Sequence, residues 1–368
     1  TITFFLMHAI PGSPFAGETS KLPANVKEKL VEQYGLDKPV TEQYVRYLQN
    51  AVKGDFGTSL NRKGKAVSDI IMAGIPEDIF SRDSTLASTS KWLVGGDAAN
   101  QACTFDALGM KTALTAKIGT DLVGNTIYQM LSESTIDLSY MIRTPDKVSG
   151  YCVAVVQPNG QRCFLLSMGD GDRDLKPEEI DFSVLDETRA VSVGSLFCLY
   201  EMDIRGTRML FEAARKKGVL TFADMTGDSF KIGPQALNDI YPFTDYLLPS
   251  LEEGIYVTGK SDPGEIAQWF LDHGVSNVLV KLGEKGCFFK NATEAFYTPA
   301  FSVDAIDTTG CGDNFSAAFI TSLLQGKTAA EAIRFGNAAG AINATGIGAH
   351  GNVKSYEQVK KFLDEHTF

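Results

Sequence analysis

Cysteines, basic residues and long apolar runs are scarce in this sequence, and each scarcity excludes a class of protein. The six cysteines show no close pairing, which argues against a disulfide framework or a zinc site and predicts a reducing, cytoplasmic location. Lys and Arg number 34 against 45 Asp and Glu, and the net charge of −11 disfavours nucleic acids and anionic membrane surfaces as partners. The apolar run at residues 2–10 is well short of the ~20 residues that span a bilayer, so we expect no membrane insertion.

The overall composition is typical of a folded protein, and a change in charge near residue 76 indicates a domain boundary. With 368 residues, 44% of them hydrophobic, the chain is long enough to bury a large core. Residues 1–76 carry a net charge of +2, whereas residues 77–368 carry −13. All six cysteines also follow residue 102. This shift in composition predicts two parts, a segment over residues 1–76 and a domain over residues 77–368.

Residues 1–76 contain two short helical patterns and no constellation typical of an active site. One pattern ends at Gly35 and the other near Gly54, which predicts a small helical appendage. The segments HAIPGSPFAGE, YGLDKPVTEQYVRYLQNAVKGDFGTSL and GKAVSDIIMAGIP resemble the N-terminal region of an oligopeptide ABC-transporter permease. The later membrane spans of such a permease have no counterpart in this sequence, so the resemblance does not imply transport.

From about residue 78, short apolar strands alternate with amphipathic helices. Such alternation predicts an α/β fold in which helices cover both faces of a mostly parallel sheet. A hairpin with Pro158-Asn159-Gly160 at its turn interrupts the alternation and predicts a small antiparallel lid at one end of the sheet. The strand candidates are residues 112–117, 189–194, 219–223, 245–248 and 277–282. The helix candidates are residues 98–108, 122–133, 204–217, 233–240, 263–273, 313–325, 328–345 and 355–365.

The most specific motif is DTTGCGD at residues 307–313, which lies directly before a helix with Phe315, Phe319 and Leu323 on one face. Two glycines in the turn let backbone N–H groups approach a ligand, and a helix N-terminus adds positive potential. This arrangement predicts an anion hole for a transferring phosphoryl group, with Asp313 placed to accept the proton of an attacking hydroxyl. A glycine turn with an aspartate helix cap is the alternative for G-x-G-D alone.

A second motif, GGDAANQA at residues 95–102, begins another predicted helix. Together with DTTGCGD, it resembles the paired signatures of the ribokinase-like, pfkB-type carbohydrate kinase family, over about residues 78–368. The resemblance implies a ribokinase-like three-layer α/β/α sandwich with a mostly parallel central sheet and a small β lid. It also implies ATP-dependent phosphorylation of a sugar hydroxyl, with Mg²⁺ and, as in many relatives, a monovalent cation such as K⁺.

The same resemblance implies catalytic and sugar-binding residues. Asp313 is similar to the family's catalytic base, and Gly310, Cys311 and Gly312 to its anion hole. Because backbone N–H groups stabilise the charge there, Cys311 is interpreted as a small filler that is open to alkylation rather than as a nucleophile. A helix N-cap role for Asp97 and a solvent-exposed hairpin position for Arg162 stay open as alternatives. The implied sugar-contacting residues are Asp78, Gly96, Asp97, Asn100 and Arg162.

Residues for the nucleotide and for cations follow from the resemblance in the same way. Glu253 lies where the family carries an Asn-x-x-Glu element associated with magnesium and phosphate, but Ser250 replaces the Asn. A solvated acid at a helix start is the alternative for Glu253. Asp307 is similar to a residue that helps to hold a monovalent cation. The implied nucleotide-binding residues are Asp224, Lys281, Gly283, Gly286, Asn337, Gly346 and Gly348.

The sequence departs most from the family at the start of the kinase-like part. Relatives open with a strand that ends in a Gly and is followed by a sugar-binding Asp, for which Asp78 is the candidate. Only sixteen residues lie between Asp78 and Gly95, so the lid strands of this interval are expected to be short or missing. Residues 69–76, DIIMAGIP, fit either the first kinase strand or the permease-like segment, and a replaced first strand would remove a central member of the sheet.

Three functions remain open at this point. The leading hypothesis is a kinase of ribose, fructose or a related sugar. The first alternative is a nucleoside or vitamin-type kinase of the same fold, which would accept a nucleoside but no free sugar. The second is a catalytically weak fusion protein that binds sugar and nucleotide. A homodimer is a further expectation, because lids in this family often pair between subunits.

Overall fold

The computed structural model describes residues 69–145, 147–158, 162–167, 175–228 and 230–366. The predicted helical appendage and most of the permease-like segment lie outside these residues. The division into residues 1–76 and 77–368 therefore stays a prediction. Every element below lies in the part that resembles a kinase or in the ambiguous stretch 69–76.

The strands of the described ranges lie in three sheets, of six, four and two strands. Their bounds are β1 (Asp69–Ala73), β2 (Thr89–Leu93), β3 (Lys117–Gly119), β4 (Ile142–Thr144), β5 (Tyr151–Val156), β6 (Arg162–Ser167), β7 (Ala190–Leu196), β8 (Leu220–Met225), β9 (Tyr246–Leu248), β10 (Asn277–Lys281), β11 (Cys287–Asn291) and β12 (Ala295–Thr298).

The helices of the described ranges follow the strands in the alternating order that the sequence predicts. Their bounds are α1 (Asp97–Ala107), α2 (Leu122–Ser132), α3 (Thr207–Lys216), α4 (Leu251–Thr258), α5 (Pro263–Asp272), α6 (Cys311–Leu324), α7 (Ala329–Ala344) and α8 (Tyr356–Glu365). None of these helices is long and apolar enough to cross a membrane.

The six-stranded sheet forms the centre of the fold, in the order β12-β11-β10-β9-β8-β7. Strands β7 to β10 are parallel, and β11 and β12 extend the sheet as an antiparallel hairpin that the sequence analysis did not predict. In β10, Val278 and Val280 pack with α3, α4 and α5, whereas Leu279 packs with α6 and α7. Alternate strand residues thus face opposite helical layers. The predicted three-layer α/β fold is confirmed.

The four-stranded sheet, in the order β2-β1-β5-β6, corresponds to the predicted lid. Strands β5 and β6 form the expected antiparallel hairpin. Strand β1 pairs antiparallel with β2 and parallel with β5. Between Asp78 and Gly95, where lid strands were expected to be short or missing, the structure has one strand of five residues, β2. Residues 69–73 belong to this sheet and not to the central one.

Two sequence-based elements differ from the structure. Within residues 112–117, only Lys117 begins a strand, and the earlier residues form a single bridge between Ala113 and Asp137. Residues 233–240 form a short 3₁₀ helix, Pro234–Leu237, instead of an α-helix. A second short 3₁₀ helix, Tyr241–Phe243, follows, with Pro242 in its first turn, where its missing N–H is tolerated.

The parallel strands place polar residues at one edge of the central sheet. Ser195 lies near the end of β7, Asp224 near the end of β8, and Lys281 is the last residue of β10. Ser250 follows β9 and forms a bridge with Lys281. Because the carboxyl ends of parallel strands meet at the same edge, this is where an α/β sheet binds its ligand.

Candidate active site

The two sequence signatures meet at a buried hydrogen bond. Asn100, in the first turn of α1, donates from Nδ2 to Asp313 Oδ2 at 2.9 Å. Asp313 lies in the first turn of α6, and both side chains are buried. Burial and the nearby charge of Asp97 raise the pKa of Asp313 well above the ordinary aspartate value. A carboxyl group of raised pKa is suited to accept a proton near neutral pH.

The turn before α6 has the geometry of an anion site. Gly310 has φ +68°, and a Cβ at this position would lie 2.0 Å from the carbonyl oxygen of Ala349. Cys311 N–H donates to Thr308 O at 3.3 Å. Helix geometry leaves the N–H groups of Gly312 and Asp313 without an intrahelical acceptor, so these two are the best placed for an anion. The sulfur of Cys311 lies 3.8 Å from Asn343 Nδ2.

A buried ion pair lies beside this turn. Lys281 Nζ is 2.6 Å from Asp224 Oδ1 and 2.7 Å from Asp224 Oδ2. Ser316 Oγ, on α6, donates to Asp224 Oδ2 at 2.7 Å. The position of an added Gly312 Cβ is 3.4 Å from Lys281 Nζ, so the ammonium group lies at the N-terminus of α6. The predicted neighbours Asp224 and Lys281 are thus brought together with the anion turn.

Carboxyl groups outnumber the ammonium group of Lys281 in this region. Burial lowers the pKa of Lys281, but the attraction of Asp224 and Glu253 outweighs it and the pKa is raised. Burial raises the pKa of Asp97, although Ser195 Oγ donates to that carboxylate. Lys281 therefore stays charged and compensates several buried carboxyl groups.

Glu253 lies at the start of α4, beside a cavity of about 320 Å³. Its carboxylate accepts from Ser250 N at 2.7 Å, and its own N–H donates to Ser250 Oγ at 3.3 Å, which is a capping box. Burial raises the pKa of Glu253. The serine that replaces the family's asparagine thus has a structural role in this helix. The cavity is lined by Thr226, Gly227, Asp228, Ser250, Glu252, Glu253 and Tyr256.

The described ranges contain no group of three or more His, Cys, Asp or Glu side chains arranged to hold a metal ion. Mg²⁺ in phosphoryl-transfer sites is usually held by one or two carboxylates together with water and substrate phosphates. Three acidic residues, Asp228, Glu252 and Glu253, line one cavity. These residues therefore fit a hydrated magnesium ion that arrives with a nucleotide.

Asp307 organises the polypeptide behind the anion turn. Its Oδ1 accepts from Thr309 N at 2.9 Å and from Thr309 Oγ1 at 2.6 Å, and its Oδ2 accepts from Gly348 N at 3.0 Å. An added Cβ on Gly346 would lie 2.3 Å from Asn352 Oδ1, so this loop is tightly packed. The hydrogen bonds to Asp307 give the carboxylate a structural role in holding this loop, and the monovalent cation predicted there stays a prediction.

The other predicted nucleotide-binding residues lie in the turn after β10 and in α7. Gly283 and Gly286 have positive φ, and an added Cβ on Gly286 would lie 2.1 Å from Thr298 O. Asn337, on α7, is buried and donates to Pro299 O at 2.9 Å. These contacts give Gly286 and Asn337 structural roles. Their predicted nucleotide contacts stay predictions.

Three predicted sugar-binding residues have no observed contact with the hydrogen-bonded cluster among the side chains that the structure describes. The exposed carboxylate of Asp78 pairs with Arg82 Nε at 2.7 Å. Arg162 begins β6 opposite Val156, and its side chain lies outside what the structure describes. Gly96, with φ +93°, precedes α1 and has open space at its Cβ position, so its backbone is accessible. The predicted roles of all three residues remain predictions.

The sequence analysis missed three residues that complete the cluster. Ser195 contacts Asp97, Ser316 contacts Asp224, and Asn343 Nδ2 donates to Thr309 O at 2.9 Å and to Gly348 O at 3.3 Å. A signal existed for Ser195, which is a polar residue at the end of an apolar strand. Ser316 also lies one helical turn after Asp313, on the same face of α6.

The profile of the pfkB carbohydrate kinase family matches residues 66–355. This chain belongs to the pfkB family of carbohydrate kinases. The predicted enzyme class is thereby confirmed. The match begins before residue 78, where the kinase-like part was predicted to start. It includes β1, which the sequence analysis left open between a kinase strand and the permease-like segment. Nothing in the match bears on the resemblance of residues 1–76 to a permease, which stays a prediction.

Relatives of this kinase act on several carbohydrates, as their names state. Ribokinase of Haemophilus influenzae is 29% identical over 276 residues, which cover 73% of this chain and 87% of that protein. The 2-dehydro-3-deoxygluconokinase of Bacillus subtilis is 27% identical over 299 residues, which cover 76% and 88%. A structure of Arabidopsis thaliana ribokinase complexed with ribose and ATP has a TM-score of 0.67 at 26% identity, covering 82% of this chain and 96% of that one.

Proposed function

We propose that this kinase transfers the γ-phosphoryl group of ATP to a hydroxyl group of a ribose- or fructose-type sugar. The observation that carries the proposal is the contact of Asn100 with Asp313 at the N-terminus of α6. It joins the residue that would orient a sugar to the residue that would accept its proton. The ribose and ATP bound to the Arabidopsis relative support the choice of substrates.

Asp313 acts as the general base. As the sugar oxygen forms its bond to the γ-phosphorus, the bond from that phosphorus to the β–γ bridging oxygen breaks, and the hydroxyl proton passes to the Asp313 carboxylate. The N–H groups of Gly312 and Asp313 and the ammonium of Lys281 stabilise the charge on the transferring group. Mg²⁺ held by Glu253 and the phosphates would supply further positive charge.

The sugar binds beside α1. Asn100 Oδ1 is buried and has no hydrogen-bond partner in the structure, while Nδ2 of the same side chain is engaged by Asp313. A buried acceptor left unpaired is costly, and a sugar hydroxyl would satisfy it. Asp97 lies one turn earlier and adds a second acceptor. A buried amide and carboxylate together suit neighbouring hydroxyl groups of a polyol.

A cation at Asp307 and a homodimer are further parts of the proposal. A monovalent ion such as K⁺ at Asp307 would hold the loop that lies behind the anion turn. Pairing through the lid sheet would cover Leu165, a β6 side chain that is 49% exposed. The cytoplasmic location predicted from cysteine usage also stays a proposal.

The test is a sugar panel with and without the base. ADP release is measured with D-ribose, D-fructose, 2-dehydro-3-deoxygluconate and a nucleoside as acceptors. Asp313→Asn keeps the shape of the side chain and its hydrogen-bond acceptor but removes the base, so we expect kcat to fall by at least ~10²-fold. Asp364→Asn, on the exposed surface of α8, is the matched control and leaves kcat unchanged.

Each outcome decides between the functions. Turnover with a sugar and its loss in Asp313→Asn support the proposal. Turnover with the nucleoside alone favours the nucleoside kinase. Binding of sugar and ATP without turnover, measured by calorimetry, favours the catalytically weak fusion protein.

A further inference from the structure

The second strand of the lid contacts a loop near the C-terminus, here called the 346–351 loop. Lys91 Nζ, on β2, donates to Ile347 O at 3.1 Å. An added Cβ on Gly348 would lie 2.4 Å from Leu93 Cδ1, so the loop backbone packs directly on the strand. Residues 256 positions apart in sequence are thus held together at the edge of the site.

His350 connects the 346–351 loop to the residue that follows β2. Its Nε2 lies 2.8 Å from Val94 O. A carbonyl oxygen only accepts, so the proton is on Nε2. Burial lowers the pKa of His350, which favours the neutral ring. Val94 is directly followed by Gly95-Gly96 and by α1, so this hydrogen bond fixes the chain where the sugar-binding signature begins.

The other side of the same loop supports the anion turn. Ala349 O accepts from Asn314 Nδ2 at 2.8 Å, and the same amide donates to Gly310 O at 2.8 Å. Thr104 Oγ1, on α1, donates to Asn314 Oδ1 at 3.0 Å. A continuous path of contacts therefore runs from Val94 through His350 and Ala349 to the turn that would bind phosphate.

We propose that His350 is a positioning residue that couples the sugar-binding turn to the anion turn, so that nucleotide and sugar strengthen each other's binding. The inference rests on the proposed function, because it assigns the sugar to α1 and the phosphate to α6. A ligand that fixes Gly310 fixes the 346–351 loop and, through His350, the carbonyl of Val94. Coupling of this kind is reciprocal between the two ligands.

Two amide variants distinguish the effect of the hydrogen bond from the effect of losing the imidazole ring. In His350→Gln the side-chain amide reaches the position of Nε2 and donates to Val94 O, whereas in His350→Asn it is too short. The measurement is the Kd of the sugar that the panel identifies, by calorimetry, with and without a non-hydrolysable ATP analogue and Mg²⁺. We expect the analogue to tighten sugar binding roughly tenfold in the unmodified kinase, within the usual range of coupling.

The two variants are expected to differ. His350→Asn brings the ratio of the two Kd values to about one, and His350→Gln keeps most of the tenfold effect. The control is His273→Ala at the end of α5, where Nδ1 lies 2.7 Å from Trp269 O and the alanine side chain has no polar atom to replace it. It removes a similar contact elsewhere and leaves the ratio unchanged. A full ratio in His350→Asn overturns the proposal.

Two further measurements keep the proposal testable. If His350→Asn does not fold, His350→Leu keeps apolar bulk in place of the ring but cannot donate to Val94 O, and a full ratio in that variant overturns the proposal. If the unmodified kinase phosphorylates no sugar, the proposed function fails separately. The coupling is then read from amide hydrogen exchange at residues 95–100, which the ATP analogue alone should slow in the unmodified chain but not in His350→Asn.

Discussion

The ion pair between Lys281 and Asp224 gives the sharpest test of the site's electrostatics. Side-chain exposure is 17% for Lys281 and 4% for Asp224. Removing one member of a buried pair leaves the other charge uncompensated, which costs roughly 3–5 kcal/mol. For Lys281→Met we therefore expect the free energy of unfolding to fall by about that amount, with a Tm lower by roughly 10 °C.

The second variant tests the cause of this loss. Asp224→Asn in the Lys281→Met background removes the stranded charge, so the double variant should be more stable than Lys281→Met alone. The assay is thermal and urea unfolding of all four proteins of the cycle. Lys216→Met is the control, because Lys216 forms a similar pair with Glu212 at 2.9 Å but on the surface of α3. Exposed pairs add little, so its Tm should stay close to that of the unmodified chain.

Two results would refute this reasoning. One is a Lys281→Met protein that loses no more stability than Lys216→Met. The other is an additive cycle, in which Asp224→Asn destabilises by the same amount whether or not Lys281 is present. Either result means that the buried carboxylate does not depend on the ammonium group. The assignment of Lys281 to charge compensation would then be wrong.

Two further predictions concern the base and the anion turn. As the proposed base, Asp313 must be ionised to act, so its raised pKa places the acid limb of the kcat/KM profile above the ordinary aspartate range, with activity lost as pH falls through that limb. Asp97→Asn removes a nearby negative charge and should move the limb to lower pH. A limb that does not move contradicts this prediction. Gly310→Ala forces a Cβ to within 2.0 Å of Ala349 O and should lower kcat by more than about tenfold. Gly326→Ala, with φ +85° but open space at Cβ, isolates the backbone strain and should leave kcat unchanged.

The sequence predicted the elements that local patterns define. The four parallel strands and the helices α1, α2, α5, α6, α7 and α8 lie within one or two residues of their predicted places. The hairpin β11–β12 was missed and residues 69–73 were left open, because short strands look alike whichever sheet they join. Only the pairing of β1 with β2 and β5 assigns it to the lid sheet.

The site was predictable where a motif carries it and not where the fold brings distant residues together. Asp313 and Asn100 each lie in a local signature, yet their hydrogen bond joins residues 213 positions apart. The contact of His350 with Val94 spans 256 positions and has no local pattern at either end. Such contacts depend on sheet order and helix packing, which single-sequence periodicity does not specify.

The acidic net charge and a phosphate site are compatible because they depend on different groups. The net charge of −11 counts side chains, and it opposes large polyanions that must approach much of the surface. The proposed anion turn would use backbone N–H groups of Gly312 and Asp313, which carry no formal charge and do not enter that count. Lys281 adds one positive charge, and that charge is already opposed by Asp224. Composition therefore disfavours large polyanionic partners, whereas on the proposed function the start of a single helix determines where a small anion binds.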